Sequence, residues 1–115
     1  MIPLTSPHRR ALAFAMSEDR GPDSLDSHLR RMMKDLDLWG YHTRNSMGSN
    51  AGWVDWVILG PNGGLHRELK TERGRLTVDQ RKVGSRLLKA GFDWQVWRPS
   101  DLLAGTIARQ LKGIA

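Results

Sequence analysis

The 115-residue chain has no cysteine, which excludes disulfides and thiolate zinc sites and fits a reducing compartment. Its four histidines are too dispersed for a zinc motif. Long apolar runs are missing as well. The most apolar N-terminal stretch, Ala11 to Met16, is shorter than the core of a signal peptide, and nothing approaches the roughly 18 apolar residues of a membrane span. A cytoplasmic protein without a membrane partner is therefore expected. Acids are scarce too: 12 Asp+Glu against 18 Lys+Arg leave a net charge of +6 and a pI near 10.5. A basic exterior of this kind suits a nucleic-acid partner. The length allows one domain with a small core.

Residues 1–22 mix prolines, charges and the short apolar run, and read as an N-terminal appendage to a domain spanning 23–115; residues 11–16 alternatively form a helical turn docked on that domain. Pro22-Asp23-Ser24 opens a helix whose apolar residues Leu25, Leu29, Met32, Met33 and Leu36 recur at helical spacing, with Gly40 as its C-cap. Tyr41 to Ser46 reads as a strand, followed by a glycine-containing loop to Gly52. Thr77 with Gln80 three residues later is a capping box, opening a helix with an apolar stripe of Val78, Val83, Leu87 and Leu88 that Gly91 stops. Phe92 to Trp97 reads as the last strand, and Ser100 caps a final helix to about Gly113. Trp53 and Trp56 have opposite strand parity, as do Trp94 and Trp97, so packing is a better reading for them than a base-stacking platform.

The stretch Gly52-Trp53-Val54-Asp55-Trp56-Val57-Ile58-Leu59-Gly60, then Pro61-Asn62-Gly63-Gly64, then Leu65-His66-Arg67-Glu68-Leu69-Lys70 is a predicted hairpin, because β-rich runs flank an Asn-Gly pair. An even loop around Asn62-Gly63 sets Asp55 opposite Lys70 and diagonal to Glu68, within about 7–8 Å. All three then share one face. Two carboxylates held close repel each other unless a cation sits between them, and oxygen ligands suit Mg²⁺ or Mn²⁺. With Lys70 beside them the pattern points to metal-assisted phosphodiester hydrolysis; an exposed ion-pair ladder on a solvated sheet face is the plain alternative. His42 and Arg44 share a strand face beside this pair, within reach of a scissile phosphate. Arg73 and Arg75 precede the capped helix and Arg81 lies in its first turns, a phosphate track at a helix N-terminus. Gln80 has two readings: it only caps its own helix, or it reaches from the helix start toward a metal-bound water or phosphate.

The ordered set Gly52-Trp53-Val54-Asp55, Glu68-Leu69-Lys70, Gly74-Arg75-Leu76-Thr77-Val78-Asp79-Gln80 and Val96-Trp97-Arg98-Pro99, with Gly40-Tyr41-His42-Thr43 and Asn45-Ser46 upstream, resembles the VRR-NUC branch of the PD-(D/E)xK nucleases. The resemblance covers roughly residues 26–111, and its upstream residues also look like the small phage-type members. Val54 stands where that family has a proline before the catalytic aspartate; the proline shapes the backbone and is not a ligand. The resemblance implies an α/β restriction-endonuclease-like core, a four-stranded mixed sheet flanked by helices in the order α-β-β-β-α-β-α. It implies a Mg²⁺- or Mn²⁺-dependent DNA nuclease in which Asp55 and Glu68 bind metal, the Leu69 carbonyl is a third ligand, Lys70 assists catalysis and Gln80 supports it. Asp26 is the best match for the acid that the family carries on its first helix. A homodimer selective for branched DNA, in a bacterial cell or phage-infected host, follows from the same resemblance. The competing reading is a nucleic-acid-binding module that kept the fold without turnover.

Overall fold

The computed structural model describes residues 6–44 and 50–115. Asn45 and Ser46, and the first half of the loop that follows them (residues 47–49), lie outside the described residues. Among the described residues nine elements succeed one another: α1 (Ser6–Ala15), α2 (Leu25–Asp35), β1 (Trp39–His42), β2 (Trp56–Gly60), β3 (Gly63–Leu69), α3 (Val78–Lys89), β4 (Trp94–Trp97), α4 (Pro99–Leu103) and α5 (Thr106–Ile114). The strands form one mixed sheet in the order β1-β2-β3-β4, with β1, β2 and β3 antiparallel and β4 parallel to β3. The chain is thus an α/β domain with a four-stranded mixed sheet flanked by helices. Among the described residues no helix is long and apolar enough to cross a membrane.

Strand alternation gives the sheet two unlike faces. One carries Trp56, Ile58, Leu65, Leu69 and Trp97, which bury against Leu25, Leu29 and Met33 of α2 and Ile107, Leu111 and Ile114 of α5. Arg67 points into the same layer. Its guanidinium is fully buried, donates to the Asp93 carbonyl at 2.6 Å and to Gln110 Oε1 at 3.1 Å, and lies over the Trp97 ring. The other face is covered by α3 on the β4 side, where Gly84 lets the helix lie against Trp94: a methyl at this position would collide with the indole.

Several boundaries differ from the sequence expectation for local reasons. The helix opens after Pro22-Asp23-Ser24 as expected, and Ser24 is the residue that caps α2, accepting from Ser27 N at 3.1 Å. The helix then ends at Asp35, because Asp37 turns the chain with φ 55°, so Gly40 is no C-cap. It belongs to β1, where a side chain would strike Trp56 and Met33. The final helix is broken in two at Gly105, whose φ is 81°; Asp101 Oδ2 accepts from Arg98 N at 2.8 Å to start the first piece. In α3 only Leu87 of the expected stripe is buried, while Val78 and Leu88 are exposed, because Gly84 is the contact with the sheet. Residues 6–22, read as an appendage, lie against the domain. Ala13 is buried, α1 packs on α4, and the carbonyls of Ser17 and Glu18 accept from Leu25 N and Asp26 N at 2.9 and 2.8 Å.

Candidate active site

The β2–β3 register pairs Trp56 with Arg67 and Gly60 with Gly63, so the hairpin loop is Pro61-Asn62. Asn62 is held there by the end of α5: its amide donates to the Ile114 carbonyl at 3.0 Å and its side chain to the Ala115 carbonyl at 2.7 Å. The loop is even, as expected, but centred one residue earlier. Extending the register one step places Asp55 directly across from Glu68, not Lys70. Face parity is unchanged, and Lys70 follows two residues on along the same face.

Asp55 sits where β2 begins, and its Oδ2 accepts from Leu69 N at 2.7 Å, fixing the carboxylate against the Glu68-Leu69 main chain. Glu68 is 2% exposed. Burial pushes its carboxyl up to about 9, the neighbouring Asp55 carboxylate adds to the rise and Lys70 opposes it. Glu68 Oε1 accepts from Gln80 Nε2 at 2.9 Å, whereas Oε2 is buried with no hydrogen-bond partner among the described residues. A buried oxygen facing a second carboxylate can share a proton with it, which the rise to about 9 reflects, and an oxygen-only donor pair of this kind would suit a hard cation such as Mg²⁺ or Mn²⁺. Among the described residues no group of three or more acids and histidines is gathered closely enough to hold a metal by itself.

Gln80 does cap its helix, and its side chain also reaches Glu68. Its Oε1 accepts from Thr77 N at 2.8 Å and its backbone N donates to Thr77 Oγ1 at 3.1 Å, closing the capping box, while its Nε2 holds Glu68. The helix cap therefore sets the rotamer that orients the buried acid. Gly52, with φ 86°, packs so closely on the Asp79-Gln80 backbone that a side chain would collide with it. This contact closes one wall of a cleft of about 380 Å³ that Arg44, Trp53, Asp55 and Gln80 line together.

Other expected residues divide. Arg44 lines the cleft, but His42 lies on the opposite face, its ring 4.7 Å from Trp56 and its Nε2 3.9 Å from Asp26. Neighbouring strand residues alternate faces, and Thr43, whose N donates to the Asp55 carbonyl at 2.9 Å, is the one across from Asp55. Asp26 is committed elsewhere: Oδ1 accepts from Trp56 Nε1 at 2.9 Å and Oδ2 from Arg30 Nε at 2.6 Å. Arg73, Arg75 and Arg81 come together, with Arg98, around a hollow of about 340 Å³. Arg98 donates to the carbonyls of Thr71 and Gly74, both at 2.7 Å, and so shapes the loop that carries Arg73; the Arg73 guanidinium lies 4.5 Å over the Phe14 ring of α1.

One acid stands out that carries no signal in the sequence. Glu18 is half-buried, and its carboxyl is raised by burial first and by the Asp55 carboxylate second, with Lys70 opposing. It therefore stands within electrostatic reach of Asp55, Glu68 and Lys70. It precedes α2 in an irregular segment, so no periodicity marks it. Only the docking of residues 17–18 on the start of α2 brings it to the site.

Val54, in the family's proline position, is fully buried, and its carbonyl accepts from Thr43 Oγ1 at 2.7 Å. Comparison of the chain with protein-family models, with curated proteins and with solved structures finds no match.

Proposed function

We propose that this chain is a Mg²⁺- or Mn²⁺-dependent nuclease of the VRR-NUC type, built on a restriction-endonuclease-like core and hydrolysing phosphodiester bonds in DNA. The observation that carries the reading is the facing of Asp55 and Glu68 across β2 and β3, with Glu68 Oε2 buried and unpartnered among the described residues. Asp55 and Glu68 would hold the cation, with the Leu69 carbonyl and Glu18 at its margin. Bound there, a divalent cation would supply Lewis acidity to the phosphate and would lower the pKa of an attacking water.

The remaining work falls to side chains of the chain itself. The Leu69 amide keeps Asp55 turned toward Glu68, and Gln80 fixes the Glu68 plane through a cap that does not depend on substrate. Lys70 offsets charge developing on the attacking or leaving oxygen. Arg44 stands in the cleft for the scissile phosphate, and Arg73, Arg75 and Arg81 hold flanking phosphates at the N-terminal end of α3. A homodimer and a preference for branched DNA belong to the same proposal; the half-exposed Leu12 and Phe14 on α1 offer apolar surface for a partner copy.

Digestion of radiolabelled DNA with and without Mn²⁺ tests the reading. Metal-dependent cleavage that disappears in Asp55→Asn is the expected result. Cleavage by Asp55→Asn at the wild-type rate overturns the site, and binding without cleavage under every metal condition leaves a binding module instead.

A further inference from the structure

The pairing of the strands arranges the α3 side of the sheet as three rows. Thr43, Asp55, Glu68 and Val96 form the row proposed to be catalytic; Tyr41, Val57, His66 and Trp94 form the next; Trp39, Leu59 and Gly64 form the third. Helix α3 covers only the β4 end, and Trp53 and Phe92 flank His66 at ring-centroid distances of 6.1 and 5.2 Å. Among the described residues nothing covers the β1–β2 end. Trp39 is 58% exposed, Tyr41 55% and Leu59 46%. The Trp39 and Tyr41 rings are 6.4 Å apart with planes only 23° from parallel.

Two exposed, nearly parallel aromatic rings on an edge strand, in a chain of net charge +6, call for a flat and apolar ligand that comes with negative charge. Unpaired nucleotides have both properties, since every base has a π-face and every linkage a phosphate. The direction of the strand adds a second argument. Trp39, Tyr41 and Thr43 follow one another at the strand repeat of about 6.8 Å, and Thr43 is paired with Asp55. A single strand laid along β1 with bases on Trp39 and Tyr41 therefore brings its next phosphate to Arg44, Asp55 and Glu68. A second copy of the chain fits less well. The three open side chains offer roughly 350 Å², under half of the about 800 Å² each partner gives a stable interface. The edge strand is also only four residues long, too short for extended strand pairing.

We propose that the open β1–β2 half of the sheet is a stacking shelf for unpaired nucleotides, which makes single-stranded or splayed DNA the substrate class. This rests on the nuclease reading for its purpose but not for its test. A labelled oligothymidine of about 12 nucleotides and a duplex of equal length are titrated in EDTA, where no cleavage occurs, and followed by anisotropy. Trp39→Ala and Tyr41→Ala should each weaken oligothymidine binding by roughly 5- to 150-fold. Duplex affinity should be unchanged, and Trp39→Phe should restore binding. Light scattering of the same variants should show the wild-type assembly state. Equal oligothymidine affinity for the wild type and the double alanine variant overturns the shelf, as does conversion of a wild-type dimer into monomers by Trp39→Ala. Oligothymidine binding in EDTA that is lost in the Trp39 and Tyr41 alanine variants of a protein that never cleaves in Mg²⁺ or Mn²⁺ overturns the nuclease reading and upholds the shelf.

Discussion

Gln80 Nε2 donates to Glu68 Oε1 at 2.9 Å while Gln80 Oε1 accepts from the amide of Thr77, so one side chain caps α3 and orients a buried acid. The two duties separate by mutation. Thr77→Ala removes the cap partner and leaves the Glu68 contact, and should cost about 1 kcal/mol of stability with cleavage nearly intact. Gln80→Ala should cost a similar amount and also slow cleavage, because Glu68 Oε1 loses the hydrogen bond from Gln80 that orients it. Thermal unfolding and DNA cleavage measured on both variants check the separation.

Asp55→Asn should abolish cleavage with the fold retained, and in chelator above about pH 9, where Glu68 is also charged, it should raise the melting temperature by removing repulsion with Glu68. Lys70→Ala should still be stabilised by added Mn²⁺, since the carboxylates remain, but lose turnover by roughly 10²- to 10³-fold. A Lys70→Ala protein that no longer responds to Mn²⁺ in a melting assay shows instead that the lysine builds the cation site.

Glu68 gives the metal-free protein a definite pH dependence. Its carboxyl titrates at about 9 in the folded chain against an ordinary 4.5, so between these values the folded state holds a proton that the unfolded state has released. Stability is then highest near or below pH 4.5 for this group and falls as pH rises toward 9. Glu18, raised in the same direction, adds to the slope. Denaturant unfolding in EDTA should show the decline, and Glu68→Gln should flatten it. Saturating Mn²⁺ should oppose the decline, because a metal ligand must be deprotonated.

Alanine at Arg73, Arg75 and Arg81 should weaken DNA binding with little sequence preference, each reducing the salt slope of log K by roughly one. Arg73 also stacks on Phe14, so its substitution should loosen α1 as well. Binding isotherms at several salt concentrations decide the matter: an unchanged slope in the triple variant removes the basic hollow from the DNA path.

Gly52→Ala tests the cleft wall. At φ 86° and against the Asp79-Gln80 backbone, a methyl group is both strained and obstructed. The expected loss is about 1–3 kcal/mol, with cleavage falling further than stability, because displacing the start of α3 moves Gln80 off Glu68. A variant that is destabilised yet cleaves normally disconnects the wall from the site.

Local chemistry made much of this legible in the sequence. The Thr77–Gln80 box, the Ser24 cap, the hairpin and the parity that puts Asp55, Glu68 and Lys70 on one face all depend on neighbours a few residues away or on the two-residue repeat of a strand. Other features depend on what is packed alongside, which no local pattern encodes. The hairpin centre moved to Pro61-Asn62 because Asn62 binds the end of α5, more than 50 residues distant. His42 turned away because Trp56 and Asp26 receive it on the far face, and Asp26 was taken by Trp56 and Arg30. Glu18 came to the site because an irregular segment docks on α2, and Trp39 and Tyr41 stayed in solvent because α3 reaches only the β4 side. The sequence by itself determined which side chains share a face; the tertiary structure decided which faces meet, since burial, orphaned oxygens and open shelves exist only once distant elements have packed.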